Sequence, residues 1–237
     1  MSTVAIMQPY FFPYLGYFGL IKNVDRFILF DTVQYIRHGW IDRNRVLKQN
    51  GGWLYIRAPL VSHSMHTLIK DIRVDNAQSW QDKLVAQVAS YKRVAPHYWA
   101  VKGLLQTALA GHHDSIVALN KSLLEAVCTY LGINASFEVF SEMDLEIEQP
   151  NAPDEWALNI CKALGDVKEY WNPPGGQSFF EPEKYRQAGI HLRFHRQRLP
   201  TYDQKRDAFE PGLSIIDILM FNSVEEVRNM LTDFELV

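Results

Sequence analysis

Apolar and polar positions alternate along this 237-residue chain in two rhythms, and the change between them predicts an α/β protein. Val4-Ala5-Ile6 and residues 26–30, Arg-Phe-Ile-Leu-Phe, are short apolar runs of the kind that suits strands covered on both faces. Between them, residues 19–24 carry the body of a helix. Residues 53–60 alternate until Pro59 stops them, and residues 67–74 place apolar side chains two apart, so both predict strands. Residues 32–52 mix aromatic, basic and amide side chains and read as loop-rich.

Beyond this point the period lengthens. Trp80, Leu84, Val88 and Tyr91 recur at helical spacing, with Asp75 or Asn76 as the N-cap. Pro96 opens a second helix to about Ala110, and a third runs from a cap at Asp114 to Leu131, where Gly132 ends it. Strand character returns at 137–140 and 190–194, with helices at 154–164 and 181–187 and two more near 214–221 and 224–231. Residues 170–176, Tyr-Trp-Asn-Pro-Pro-Gly-Gly, read as an irregular functional loop. The expectation is one α/β domain over 1–237: a Rossmann-like open sheet with a central helical insertion at 76–132 and a helical C-terminus.

Composition narrows the class. A hydrophobic share of 47% and a charged share of 22% fit a soluble enzyme, and a net charge of −3 gives no general signal for nucleic acid, though a local basic patch stays open. No apolar run is long enough to span a membrane, and Met1-Ser2-Thr3-Val4 lacks the pattern of a secretory leader, so a cytoplasmic location is expected. Cys128 and Cys161 sit in helix-like apolar patterns without a CxxC pair and read as core residues.

The densest chemistry lies in Met7-Gln8-Pro9-Tyr10-Phe11-Phe12-Pro13-Tyr14-Leu15-Gly16-Tyr17-Phe18. A strand, a proline- and glycine-marked turn and then a helix form the layout of a ligand loop at the carboxyl edge of an α/β sheet. Gln8, Tyr10, Tyr14, Gly16 and Tyr17 are therefore candidate binding residues, with a plain hydrophobic plug as the competing reading. Asp31 closes an apolar strand, where a carboxylate serves as general base, orients an ammonium group or simply bonds loop amides. Gln34 and Tyr35 offer an amide and a phenol to a hydroxyl-rich ligand. Trp40 precedes Arg43-Asn44-Arg45, and a guanidinium fork there suits the diphosphate of a nucleotide-linked sugar.

His63 and His66 lack a third ligand for a metal, so no metal is expected. A histidine here, His66 in particular, is instead a candidate acid or base. Gly175 and Gly176 allow a close backbone approach to an anion, or form a plain turn. Tyr202 and Gln204 approach a helix in which Ser214 is the natural N-cap and Asp217 lies in the first turn.

Three segments together resemble a known family. They are residues 8–18 as quoted, Asp31-Thr32-Val33-Gln34-Tyr35 with Trp40 and Arg43-Asn44-Arg45, and Tyr202-Asp203-Gln204, Phe209-Glu210-Pro211 and residues 213–219, Leu-Ser-Ile-Ile-Asp-Ile-Leu. Their order and spacing resemble the WbqC-like family of bacterial proteins over nearly the full chain. The resemblance implies a role in O-antigen and other surface-polysaccharide pathways, with transfer of glycine or a related acyl group to an amino sugar. On that basis the expected activity is an acyl or aminoacyl transferase acting on a nucleotide-linked amino sugar. Its donor would be a thioester of coenzyme A or of an acyl or aminoacyl carrier protein. Two alternatives stand beside it. One is a nucleotidyltransferase-like enzyme, with Tyr14-Leu15-Gly16-Tyr17 in place of an HxGH loop. The other is a non-catalytic nucleotide-sugar binder.

Overall fold

The computed structural model describes residues 2–49 and 51–237; Met1 and Asn50, which fall in the opening tetrad and in the 32–52 stretch, lie outside them. The strands are β1 (Ser2–Met7), β2 (Arg26–Leu29), β3 (Arg43–Leu47), β4 (Trp53–Arg57), β5 (Phe137–Val139), β6 (Val167–Asn172), β7 (His191–Gln197) and β8 (Phe234–Leu236). The helices are α1 (Leu15–Asn23), α2 (Trp80–Gln87), α3 (Tyr98–Ala108), α4 (Ile116–Leu131), α5 (Glu155–Leu164), α6 (Pro182–Gln187), α7 (Ile215–Phe221) and α8 (Val224–Met230).

A six-stranded sheet runs β5-β2-β1-β6-β7-β8, and β3 and β4 form a separate antiparallel hairpin. β1 pairs in parallel with β2 on one side and with β6 on the other. The chain leaves β1 through α1 towards β2, and leaves β6 through α6 towards β7, so the order reverses between β1 and β6. In an open α/β sheet that reversal leaves a crevice at the carboxyl ends of the strands.

Period-two alternation explains why both faces are covered. Ala5, Phe27, Leu29 and Trp171 join a core shared with α1, α3, α4 and α7, while Val4, Ile6, Ile28 and Tyr170 join a second core against α5 and α6. Each fully buried Phe or Leu in these layers contributes roughly 1.5–3 kcal/mol.

The structure corrects several expected boundaries. Residues 43–47 are a strand rather than loop, because Asn44 and Val46 turn inwards while Arg43 and Arg45 turn out. Residues 67–74 form no strand; a one-turn 3-10 segment, Ile69–Asp71, is pinned by Ile69 N–H to Val33 O and Lys70 N–H to Asp31 O, both at 2.9 Å. Tyr170-Trp171-Asn172 belongs to β6, and Pro174–Gly176 after it forms a one-turn 3-10 segment. Ser115, not Asp114, caps α4, its hydroxyl accepting from Val117 and Ala118 N–H, and Gly132 closes the helix at φ 62°. The C-terminus ends on β8, which pairs antiparallel with β7, after the expected helices.

Candidate active-site cleft

The turn between β1 and α1 is held by buried polar side chains that take its carbonyl groups in succession. Tyr17 donates its hydroxyl to Gln8 O at 2.8 Å. Asn120, deep in α4, donates to Pro9 O and Ile41 O, each at 2.8 Å. Asn44 reaches Phe11 O at 3.1 Å and Phe12 O at 2.9 Å, and Ser214 Oγ donates to Phe12 O at 2.7 Å. Backbone bonds add Phe11 N–H to Trp40 O at 2.8 Å and Ile215 N–H to Pro13 O at 2.9 Å. Phe12 sits at φ 41°. A non-glycine residue there carries strain of about 1–3 kcal/mol and persists only where its surroundings over-determine it. Phe11 and Phe12 plunge into the core, which leaves Tyr10 and Tyr14 facing outwards onto the cleft. Gly16 makes room for this: a Cβ there would stand 2.6 Å from the Tyr14 ring.

A cleft of about 1260 Å³ opens where the sheet order reverses. Its floor is the ends of β1 and β6, with Met7, Gln8 and Asn172. Tyr10, Tyr14, Trp40 and Gln34 line the cleft, together with Phe30, Trp156, Tyr170, Phe179 and Phe180. Asn44, Asn151 and Asn172 add further carboxamides, and none of the lining side chains carries a charge at neutral pH. Burial raises the Tyr10 and Tyr14 hydroxyls above the ordinary phenol value, so both remain hydrogen-bond donors across the physiological range. Flat rings with amide donors and acceptors between them match a planar or hydroxyl-rich ligand.

Gln8, Tyr10, Tyr14, Gln34, Trp40, Asn44, Gly175 and Gly176 all line this cleft, so the sequence candidates converge here from separate segments. Gly176 must stay small, since a Cβ would lie 2.5 Å from Asn172 Nδ2, and its N–H is taken by Pro173 O at 3.2 Å. Gln34 also donates to Met65 O at 2.5 Å.

Other candidates do not reach the cleft. Asp31 is buried, and its two carboxylate oxygens accept from Ser141 N–H at 3.0 Å and Ser141 Oγ at 2.6 Å. His66 is exposed on a surface loop. Tyr35 is buried and donates to Asp42 at 2.8 Å. Arg43 lies over the Tyr55 ring, 4.1 Å from its centroid, and donates to His38 O and Gly39 O.

Tyr202, Gln204 and Asp217 form a network behind the loop. Asp217 is fully buried and accepts from Tyr91 and Tyr202 hydroxyls, each at 2.5 Å, and from Gln204 at 2.9 Å. Burial pushes its carboxyl up despite those donors. Tyr91 Oη also accepts from Leu47 N–H at 2.7 Å, and Gln204 bonds both backbone groups of Glu210. The network thus fixes β3, α7 and the 204–212 loop to one another. Ser214 has the same positioning character, since it caps α7 through Ile216 N–H while holding Phe12 O. Cys128 and Cys161 are buried, and burial pushes both thiols up to about 12. Among the described residues, no group of three or more His, Cys, Asp or Glu side chains is placed to hold a metal.

Sequence reasoning missed the apolar wall of Phe30, Trp156, Phe179 and Phe180, which only tertiary packing assembles. It also missed Asn120, although an asparagine among Ile116, Leu119, Leu123 and Leu124 on the buried side of a helix was a readable signal.

Among known proteins, the chain is similar to an uncharacterized protein of Mycobacterium tuberculosis, with 30% identity over 233 residues and 98% of each chain covered. No solved structure matches it. The WbqC-like protein family matches residues 8–229, a span that takes in the loop, the residues that hold it and the cleft above. The chain belongs to the WbqC-like protein family.

Proposed function

We propose that the cleft binds a nucleotide-linked amino sugar and that the protein transfers an acyl or aminoacyl group, such as glycyl, to its amine in surface-polysaccharide assembly. The observation that carries this reading is the uncharged cleft of aromatic rings and carboxamides at the β1–β6 reversal. Sugar rings offer apolar faces to aromatic side chains and hydroxyls to amides. The site also supplies a route to a nucleophilic amine without a carboxylate base. Enclosure in an apolar cleft disfavours the ammonium form and lowers its pKa, so the bound amine sheds its proton to solvent before attack. The tetrahedral oxyanion formed at the acyl carbon then needs donors, and the hydroxyls of Tyr10 and Tyr14 stay protonated to serve. A thioester of coenzyme A or of a carrier protein would supply the acyl group and leave as the thiol. Asp31, tied to Ser141, positions the loop after β2 in this reading and takes no proton.

One feature favours a second reading. A cleft without any carboxylate or histidine lining suits a binder that presents the sugar to a partner enzyme. The nucleotidyltransferase-like alternative draws only on the sheet order and α1 after β1, since Tyr14-Leu15-Gly16-Tyr17 supplies no histidine. Incubating the protein with UDP-glucosamine and acyl- or glycyl-thioester donors, then reading the product by mass spectrometry, separates these readings. An N-acylated sugar nucleotide supports transfer. Saturable binding with no product under any donor supports the binder, and release of pyrophosphate from a nucleoside triphosphate supports nucleotidyl transfer.

A further inference from the structure

The hairpin of β3 and β4 carries cations that form no ion pair among the described residues. Register places Arg43 opposite Arg57 and Arg45 opposite Tyr55. Like charges directly opposed across an antiparallel pair repel. None of Arg43, Arg45 and Arg57 forms an ion pair among the described residues. Arg45 is the most constrained of them. Its guanidinium lies 5.4 Å from the Trp40 ring and 5.2 Å from the Trp53 ring, and one Nη donates to Gly212 O at 3.1 Å. Its Nε–H is buried and has no acceptor among the described residues. Trp40 and Gly212, two of the groups beside Arg45, line the cleft, so the cationic face adjoins the cleft mouth.

The proposed ligand poses a charge problem that this face resolves. A nucleotide-linked sugar carries a diphosphate, and no lining side chain of the cleft is cationic. We infer that the nucleoside diphosphate part lies outside the cleft, along the β3–β4 hairpin, with Arg45 as its anchor and only the sugar inside. With its guanidinium 5.4 Å and 5.2 Å from two indole centroids and one Nη bonded to Gly212 O, Arg45 is restrained rather than free in solvent. It presents its fork at little entropic cost, and a phosphate oxygen would also take up its unpaired Nε–H after a small shift. The exposed Trp53 edge then offers a surface to the base. Arg43, spent on Tyr55 and on two carbonyls, contributes field rather than a direct bond. This inference rests on the nucleotide-sugar reading above and adds where the charged half of that ligand sits.

Calorimetric titration of the full chain tests it, with UDP, ADP, GDP, inorganic pyrophosphate, UDP-glucosamine and a short single-stranded oligonucleotide as probes. The expected result is that nucleoside diphosphates bind, that Arg45→Ala weakens them about 10- to 100-fold, and that Arg45→Lys recovers only part of the loss. Trp156→Ala, inside the cleft, should weaken UDP-glucosamine and leave UDP unchanged. Melting curves show that each variant is folded, and Trp53→Ala serves in place of Arg45→Ala if the latter is not. UDP-glucosamine binding that depends on Trp156 but not on Arg45 or Trp53 overturns the hairpin site and leaves the cleft reading intact. Binding of none of these probes overturns both. Tighter binding of the oligonucleotide than of any nucleoside diphosphate overturns the assignment of the face to a nucleotide.

Discussion

Replacing Asn44 by alanine probes the device that shapes the cleft. Asn44 is buried and makes three bonds: to Phe11 O, to Phe12 O and from Arg45 N–H at 2.8 Å. Truncation orphans Phe11 O and Arg45 N–H, while Phe12 O keeps Ser214. A buried backbone group left without a partner costs about 1–3 kcal/mol, so the expected loss for two is about 2–6 kcal/mol. Relaxation of Phe12 from φ 41° returns part of its strain and places the result towards the lower figure. At about 2–4 °C per kcal/mol for a chain of this size, thermal unfolding should shift down by about 4–12 °C. Because Asn44 and Ser214 share one acceptor, Asn44→Ala with Ser214→Ala should be non-additive, with a coupling of about 0.5–3 kcal/mol in a double-mutant cycle. An Asn44→Ala melting point within 2 °C of wild type (about half of the smallest shift expected), with strictly additive losses, would show that these bonds do not hold the loop.

Three further outcomes are expected. Burial holds the His195 imidazole at about 4, below its ordinary 6.5, so between those values the unfolded chain binds a proton that the native state refuses. Stability should therefore fall as pH drops through that window, by at most about 3 kcal/mol, and His195→Phe should flatten this part of a denaturant-midpoint-versus-pH curve. Asp31→Asn can still accept from Ser141 N–H and donate to Ser141 Oγ, so turnover in the product assay should change by less than about threefold; a loss of 100-fold or more with binding retained would reinstate Asp31 as the base. Cys128 and Cys161, with thiols pushed up to about 12, should resist iodoacetamide at pH 8 in the native protein and react once it is unfolded in urea, as read by intact mass.

Local pattern reached as far as the elements whose own residues specify them. Ala5 and Phe27 sit in short apolar runs that read as buried strands, and Ser214 reads as a helix N-cap before Ile215 and Ile216. β3 was hidden because Arg43 and Arg45 are outward positions of a strand whose inner face carries a polar Asn44 with a structural task. β8 was hidden because a three-residue strand has no period to read, and its pairing with β7 is a tertiary event. The cleft was half legible. Its loop wall lies in one aromatic stretch of sequence, whereas Phe30, Trp156 and Phe180 meet only once α5 and β6 have packed. Residue type alone also could not separate contact from support. Asp217, Gln204 and Ser214 look like ligand-binding groups in sequence, yet their bonds run to Tyr91, Glu210 and Phe12 inside the protein.

The most direct test of the central claim is binding of UDP-glucosamine to the wild-type chain and to Trp156→Ala, measured by thermal shift and calorimetry together. A ligand that binds only the folded state raises its melting point by mass action. The account predicts saturable stabilisation of the wild type that weakens in Trp156→Ala, whose own melting point stays close to the parent. Equal stabilisation of both proteins, or none in either, would contradict the assignment of this cleft to the sugar.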